Sequence, residues 1–149
     1  YTSAIDLCQN TDTPIARMLE KGIMRMDKSL DDIATSINNI GKLELSKLEN
    51  NLAILGTISG VAPMIGFLGT VIGMVLAFYE MSITSGQIEI DTLSEGIYTA
   101  MTTTVAGLLV GILAYISYNY LVAKIASAVY HMETVSLEFL DLMYDKKNH

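Results

Sequence analysis

The sequence predicts an all-α membrane protein in which two long transmembrane helices extend into a cytoplasmic helical bundle. Three observations predict this. Of the 149 residues 51% are hydrophobic and only 17% charged, with a mean hydropathy of +0.42, a balance that leans away from a water-soluble domain. Two uncharged stretches, 52–79 and 96–123, each exceed the ~20 residues that cross a bilayer. Along both, Gly, Ala, Ser and Thr recur at helical spacing, which is how helices pack against one another in lipid.

Composition also narrows the function. A net charge of −7 with 9 basic residues and no dense Lys/Arg patch argues against nucleic acid. The single cysteine, Cys8, cannot form an intrachain disulfide. No phosphate-binding Gly-Lys-Ser/Thr loop, His-Glu-x-x-His pair or nucleophile beside a histidine occurs in the spans, so no enzyme, catalytic residue, cofactor or metal site is expected. His131 lies beside an apolar seam with no second His or Cys nearby, which favours a surface or packing role.

Residues 1–51 read as cytoplasmic helices leading into the membrane. The stretch Asn10 to Thr13 interrupts a first short helix, and Thr13 before Pro14 starts a second that runs to about Met26. Leu30, Ile33, Ile37 and Ile40 then step by three and four into Leu45, Leu48, Leu52 and Leu55 with no proline between. That spacing predicts one long helix entering the first span. The span itself covers 52–79 and the next 96–123; each is roughly 42 Å long as a helix, so each tilts or projects beyond the hydrocarbon core. Pro63 is expected to bend the first.

The connector 80–95 holds Glu80, Glu89, Asp91 and Glu95 but no Lys or Arg. All 9 basic residues lie outside it, so the positive-inside rule makes it a periplasmic loop, with 1–51 and 124–149 in the cytoplasm. On this topology a cysteine placed at Gly86 labels from outside and one at Lys42 from inside. The segment 124–149 continues helically: Ile125, Val129, Met132, Val135, Phe139 and Leu142 form a seam with Glu133, Glu138 and Asp141 off it, suited to pack on the 30–50 helix. A chain that begins with Tyr1 in cytoplasm reads as the remainder of something longer, with an earlier span ahead of it.

Steps of three and four pick out Gly56, Ser59, Pro63, Gly66, Thr70, Gly73 and Ala77 on the first span, with Gly69 beside them, and Ala100, Thr104, Gly107, Gly111 and Ala114 on the second. In water each such glycine costs a helix about 1 kcal/mol relative to alanine. In lipid, close backbone approach is what holds helices together. The opposite face of the first span carries Ile58, Val61, Ile65, Leu68, Ile72 and Val75, bulky enough for lipid or a looser neighbour. Thr70 and Thr104 fall on the two seams at similar depth, with Thr99, Thr102 and Thr103 near that level. A lone membrane threonine usually bonds back to its own helix; a matched pair supports hydroxyls lining an ion path. Neither span contains Asp, Glu, Lys, Arg or His. A proton relay here therefore needs a carboxylate from a partner.

The stretches 62-APMIGFLGTVIGM-74 and 96-GIYTAMTTTVAGLLVGILAYISYN-119, with 13-TPIARMLEKGI-23 ahead of them, resemble the ExbB, TolQ and MotA family of proton-channel subunits in bacterial ion-driven motors, nearest to ExbB. The likeness covers about residues 4–142. It implies a homopentamer in the bacterial inner membrane, multi-pass, whose pore holds the single spans of an ExbD-, TolR- or MotB-like dimer, each carrying an aspartate. Proton passage would drive rotation delivered to an envelope protein such as TonB. Thr70 and Thr104 match the family's pore threonines, and Thr99 and Thr103 are further candidate pore hydroxyls. Pro63, Gly66, Gly69, Gly73, Gly107 and Gly111 are the helix-packing positions.

Two departures bear on this. Where many relatives carry a glutamate five positions before the second pore threonine, this chain has Thr99. Where many have an Ile-Pro-Ala step it has Leu113, so its second span should be straighter. The added hydroxyls leave sodium coupling open beside proton coupling. The alternatives to an ExbB-like channel are a TolQ-like or motility subunit and a non-conducting membrane scaffold.

Overall fold

The computed structural model of the protein describes residues 2–83 and 90–148. Among the described residues five helices run in chain order: α1 Thr2–Asn10, α2 Pro14–Ile23, α3 Leu30–Glu49, α4 Leu52–Ile83 and α5 Ile90–Asn148. Among the described residues there is no strand, and the fold is the all-α membrane-helical one expected. The chain divides into two compact units: the described residues up to Asn50 with those from Val122 onward, and Asn51–Leu121.

The first unit starts where the sequence places it. Thr13, extended at φ −128 and ψ 151, caps α2 by accepting from the Ala16 N–H at 3.2 Å, and Pro14 opens the helix. There a missing N–H leaves no intrahelical bond unmade. Regular α-helix stops at Ile23 and not near Met26, because i→i−3 bonds take over: Arg25 N–H to Gly22 at 3.1 Å and Lys28 N–H to Arg25 at 3.0 Å. Ser29 then caps α3, accepting from the Asp32 N–H at 3.1 Å, while Asp31 and Asp32 complement the helix dipole in its first turn.

The core of this unit is Met18, Ile33, Ile37 and Met132, flanked by Ile15, Ile40, Phe139 and Leu140. Met132 and Phe139 of the α5 seam thus meet Ile33 and Ile37 of α3, whereas Leu142, expected on the same seam, is exposed and Leu140 packs in its stead. Gly22 is required by this packing, since a Cβ there would lie 2.8 Å from Phe139 Cε1 and 2.9 Å from Ile37 Cδ1. His131 is exposed, its ring edge-on to Tyr130.

Among the described residues of this unit the side chain of Glu44 is a buried charge. The Glu44 side chain is 5% exposed and accepts from Arg17 Nη2 at 2.6 Å and Lys47 Nζ at 2.7 Å, and Arg17 also pairs with Asp12. A carboxylate taken out of water needs such partners. The hydrogen bond from Arg17, then that from Lys47, holds the Glu44 carboxyl below its ordinary value of 4.5 despite burial.

The helix expected to run from Leu30 into the first span extends over Leu30–Ile83, with a turn at Asn50 and Asn51 between α3 and α4. Helical bonding lapses at Asn50 and Asn51 although Asn50 keeps helical φ −53 and ψ −45. Two adjacent asparagines are poor helix formers, since their amides compete for backbone groups.

In the second unit α4 continues through Pro63 without a break. Both α4 and α5 are long and apolar enough to cross a membrane, and α5 has no interruption at Leu113. Helix reaches past the uncharged stretches: Glu80 lies in the last turn of α4, and Asp91 and Glu95 lie in the opening turns of α5. Residues 84–89, with Gly86 and Glu89, lie outside the described residues. The bulky face of α4 is turned away from its partner helix, with Ile65 63% and Val75 61% exposed. So much apolar surface requires lipid or further helices to cover it.

The depressed Glu44 value fixes a sign. Its contribution to stability is fully present above pH 4.5 and is lost as pH falls through the lower value of the folded state. Thermal melts of the wild type and Glu44→Gln, followed by circular dichroism, should show the variant melting lower at neutral pH and the difference shrinking on acidification. A gap that stays constant with pH contradicts this account.

Candidate functional site

The two seams face each other. A Cβ on Gly66 would lie 2.9 Å from the Thr103 carbonyl oxygen and 3.1 Å from Gly107 Cα, and one on Gly107 would lie 2.6 Å from the Ala62 carbonyl oxygen. The close neighbours are backbone, so these glycines set how near the helices come. Gly73 meets Ala100, Gly96 meets Ala77, and Gly111 meets the Pro63 ring. As one number rises its partner falls, which is an antiparallel register. Gly69 lies against the Thr103 side chain and Gly56 under the Tyr118 ring.

At the centre of this contact the hydroxyls converge. Thr70 Oγ1 and Thr104 Oγ1 hydrogen-bond to each other. Thr70 also reaches the Ala100 carbonyl at 3.0 Å, and Thr104 reaches the Gly66 carbonyl at 3.1 Å, each on the opposite helix. Thr103 Oγ1 donates to its own helix at Ala100 O, 2.7 Å, and lies 3.4 Å from Gly66 O. Five oxygens from three threonines and two carbonyls therefore share one level of the seam.

This differs from the behaviour of the other hydroxyls in these helices. Thr57 donates to Ala53 O, Thr102 to Tyr98 O and Ser117 to Leu113 O, at 2.9, 2.9 and 2.8 Å, the usual back-bond of a membrane hydroxyl. Thr70 and Thr104 cross the interface instead. Thr99, a candidate from sequence, is exposed, and the hydroxyls that meet at the seam are those of Thr70, Thr103 and Thr104. Gly66, Gly69, Gly73, Gly107 and Gly111 all make the close contacts expected of helix-packing positions, and Pro63 does so through its ring.

Sequence reasoning overlooked two features. The Gly66 and Ala100 carbonyls are part of the site, and backbone oxygens leave no trace in side-chain spacing. Tyr118 covers Gly56 because the second seam ends in an aromatic; the Gly56 position was legible, its partner was not. Among the described residues no group of three or more His, Cys, Asp or Glu is placed to hold a metal ion.

The fold and the site define a membrane-helical protein in which two long apolar helices pack through glycines around a hydroxyl cluster with no ionisable side chain at its centre. The profile of the MotA/TolQ/ExbB proton channel family matches residues 10–134, and the chain belongs to this family. It is 40% identical over 97 residues to the biopolymer transport protein ExbB of Helicobacter pylori, covering 65% of this chain and 61% of that one. It is 32% identical over 112 residues to ExbB of Aquifex aeolicus, 74% and 75% of the two chains. With the Tol-Pal system protein TolQ of Pseudomonas aeruginosa it shares 29% over 120 residues, 80% and 52%. The chain thus spans between about half and three quarters of these relatives.

A side chain at Gly107 must push a backbone carbonyl, whereas Leu68 is 55% exposed. Gly107→Leu should therefore weaken the helix pairing by about 1–3 kcal/mol and reduce the assembled fraction in detergent, read by light scattering on size-exclusion chromatography. Leu68→Ala should leave it close to wild type; equal behaviour of the two variants would sink the seam argument.

Proposed function

We propose that this chain is an ion-channel subunit of an ExbB-type motor in the bacterial inner membrane, working as a homopentamer and using the proton motive force to energise an envelope protein of the TonB kind. The observation that carries the reading is the cross-helix hydroxyl cluster of Thr70 and Thr104 in spans without an ionisable residue. Hydroxyls and carbonyls can solvate a proton carrier or a small cation but cannot hold a proton by titration. A dimer of ExbD- or TolR-like single-span proteins would supply a membrane aspartate for that purpose. Family membership and the ExbB relatives support this assignment.

A TolQ-like role is the second reading, favoured by the match to the Tol-Pal protein. The same pore would serve it, with a different output. A non-conducting scaffold would use the glycine seam but not the hydroxyls.

In proteoliposomes holding the full-length protein with and without its single-span partner, proton influx should depend on the partner. It should fall at least tenfold in Thr70→Val with assembly intact. Sodium dependence of the same flux would change the coupling ion. Influx that ignores both the partner and the substitution leaves the scaffold.

For topology, a cysteine at Lys42 should react with a membrane-impermeant maleimide only after the cytoplasmic side is opened, and one at Gly86 should react in intact spheroplasts. The opposite pattern overturns the orientation.

A further inference from the structure

Beside its closed core the first unit carries an open groove of about 420 Å³ between α3 and α5. Met132 lies against Gly41, while Phe139 and Ile37 meet over Gly22, so the two helices run antiparallel along it. The α3 wall is Asn38, Lys42 and Leu45, one side of a helix at steps of three and four. The α5 wall runs from Val129 to Leu140, roughly 16 Å at ~1.5 Å per residue, or about three turns. Met18 of α2, which is buried, closes the bottom. Three helices thus enclose a trough, and a fourth laid in it would complete a four-helix arrangement.

The trough is apolar below and charged above. Leu45, Val129, Met132 and Leu140 line it, and Leu137 stands at its edge, 63% exposed. Ser136 is 7% exposed, and among the described residues its hydroxyl has no hydrogen-bond partner, a cost that a polar group seated in the groove removes. On the rims, Lys42 of α3 and Glu133 of α5 are exposed, and neither is held in an ion pair among the described residues. Lys47, farther along α3, is by contrast bound to Glu44. An apolar floor with opposite charges on its two edges is complementary to a helix that has one apolar face, one acidic edge and one basic edge.

We propose that this groove docks an amphipathic helix of a partner polypeptide, with apolar side chains at i, i+3, i+4 and i+7 and charges of opposite sign along its two edges. A second copy of this chain is a poorer match. Tyr130 and Leu137, exposed on α5, have Glu133, Glu138 and Asp141 within four positions and no Lys or Arg, which sets acid against Glu133. Leu43, exposed on α3, has Lys42 and Lys47 near it while Glu44 is buried, which sets base against Lys42. The docking also has a direction. Reversing the helix exchanges its edges, so only one orientation places acid at Lys42 and base at Glu133. The inference goes beyond the channel reading and does not rest on it, since no conduction enters its test.

The probe is a fluorescein-labelled amphipathic peptide of about 20 residues, long enough to be helical, with leucines on one face, glutamates along one edge and lysines along the other. Its binding to the full-length protein in lipid nanodiscs is read by fluorescence anisotropy. Leu137→Asp, at a position exposed enough to leave the fold alone, should abolish saturable binding, which separates the groove from partition into lipid. Lys42→Glu and Glu133→Lys should each weaken binding by about three- to tenfold. The double variant should restore it with the peptide reversed, seen when a benzophenone at the peptide N-terminus cross-links to the opposite end of the groove. Peptides with glutamate on both edges, or lysine on both, should bind more weakly than the mixed one. Absence of saturable binding, equal affinity for the three peptides, or single reversals that the double does not repair overturns the proposal. Displacement of the peptide by lysophosphatidylethanolamine below its micellar concentration also overturns it and assigns the groove to an amphiphile.

Discussion

Contact between backbones is the constraint on which the membrane part of this protein depends. In water two apolar helices are driven together by the surface they hide, and the closeness of fit adds a refinement. In a bilayer the surrounding chains are as apolar as leucine, so hiding surface gains nothing and the fit must supply the attraction. Gly66 and Gly107 answer that requirement by removing the side chain at the crossing. Everything else at this level follows from their absence of a Cβ. The helices come near enough for a threonine of one to reach a carbonyl of the other, which a pair of leucines at the crossing would prevent.

The unit that joins the described residues up to Asn50 with those from Val122 onward is built on the opposite balance. Its core of methionine and isoleucine is ordinary burial, with each large side chain contributing roughly 1.5–3 kcal/mol. The buried carboxylate of Glu44 is answered by Arg17 and Lys47. The same chain therefore uses side-chain volume where water surrounds it and the lack of side chains where lipid does. α5 takes part in both, changing from Gly and Ala at 100–114 to Met, Phe and Leu at 132–140 without a break in its helix.

Much of this was legible in the residues. Spacing gave the seams, because a helix face repeats every three or four positions whatever it packs against, and the pairing of Thr70 with Thr104 followed from equal depth on antiparallel helices. Thr13 and Pro14 marked the start of α2 because capping is a local chemistry. The early stop at Ile23 was hidden, since the change from i→i−4 to i→i−3 bonding is decided by backbone geometry and not by a particular side chain. The lapse at Asn50 and Asn51 was likewise overridden in the reading by the leucines on either side. Arg17 and Glu44, 27 positions apart, meet because α2 and α3 pack, which no one-dimensional pattern shows. The carbonyls of Gly66 and Ala100 became part of the site only when the helices had been brought into register.

The ring of Tyr118 over Gly56 has a mechanical meaning. Two rods that touch at their middle and are held apart by the thickness of an aromatic ring farther along are a lever with a fulcrum. Sliding one helix past the other by a turn would bring Thr104 to the place of Gly107 in one direction, where its side chain would strike the Gly66 backbone, and Gly111, which has none, in the other. Rocking about the 66/107 contact needs only that the ring shift on the glycine beneath it.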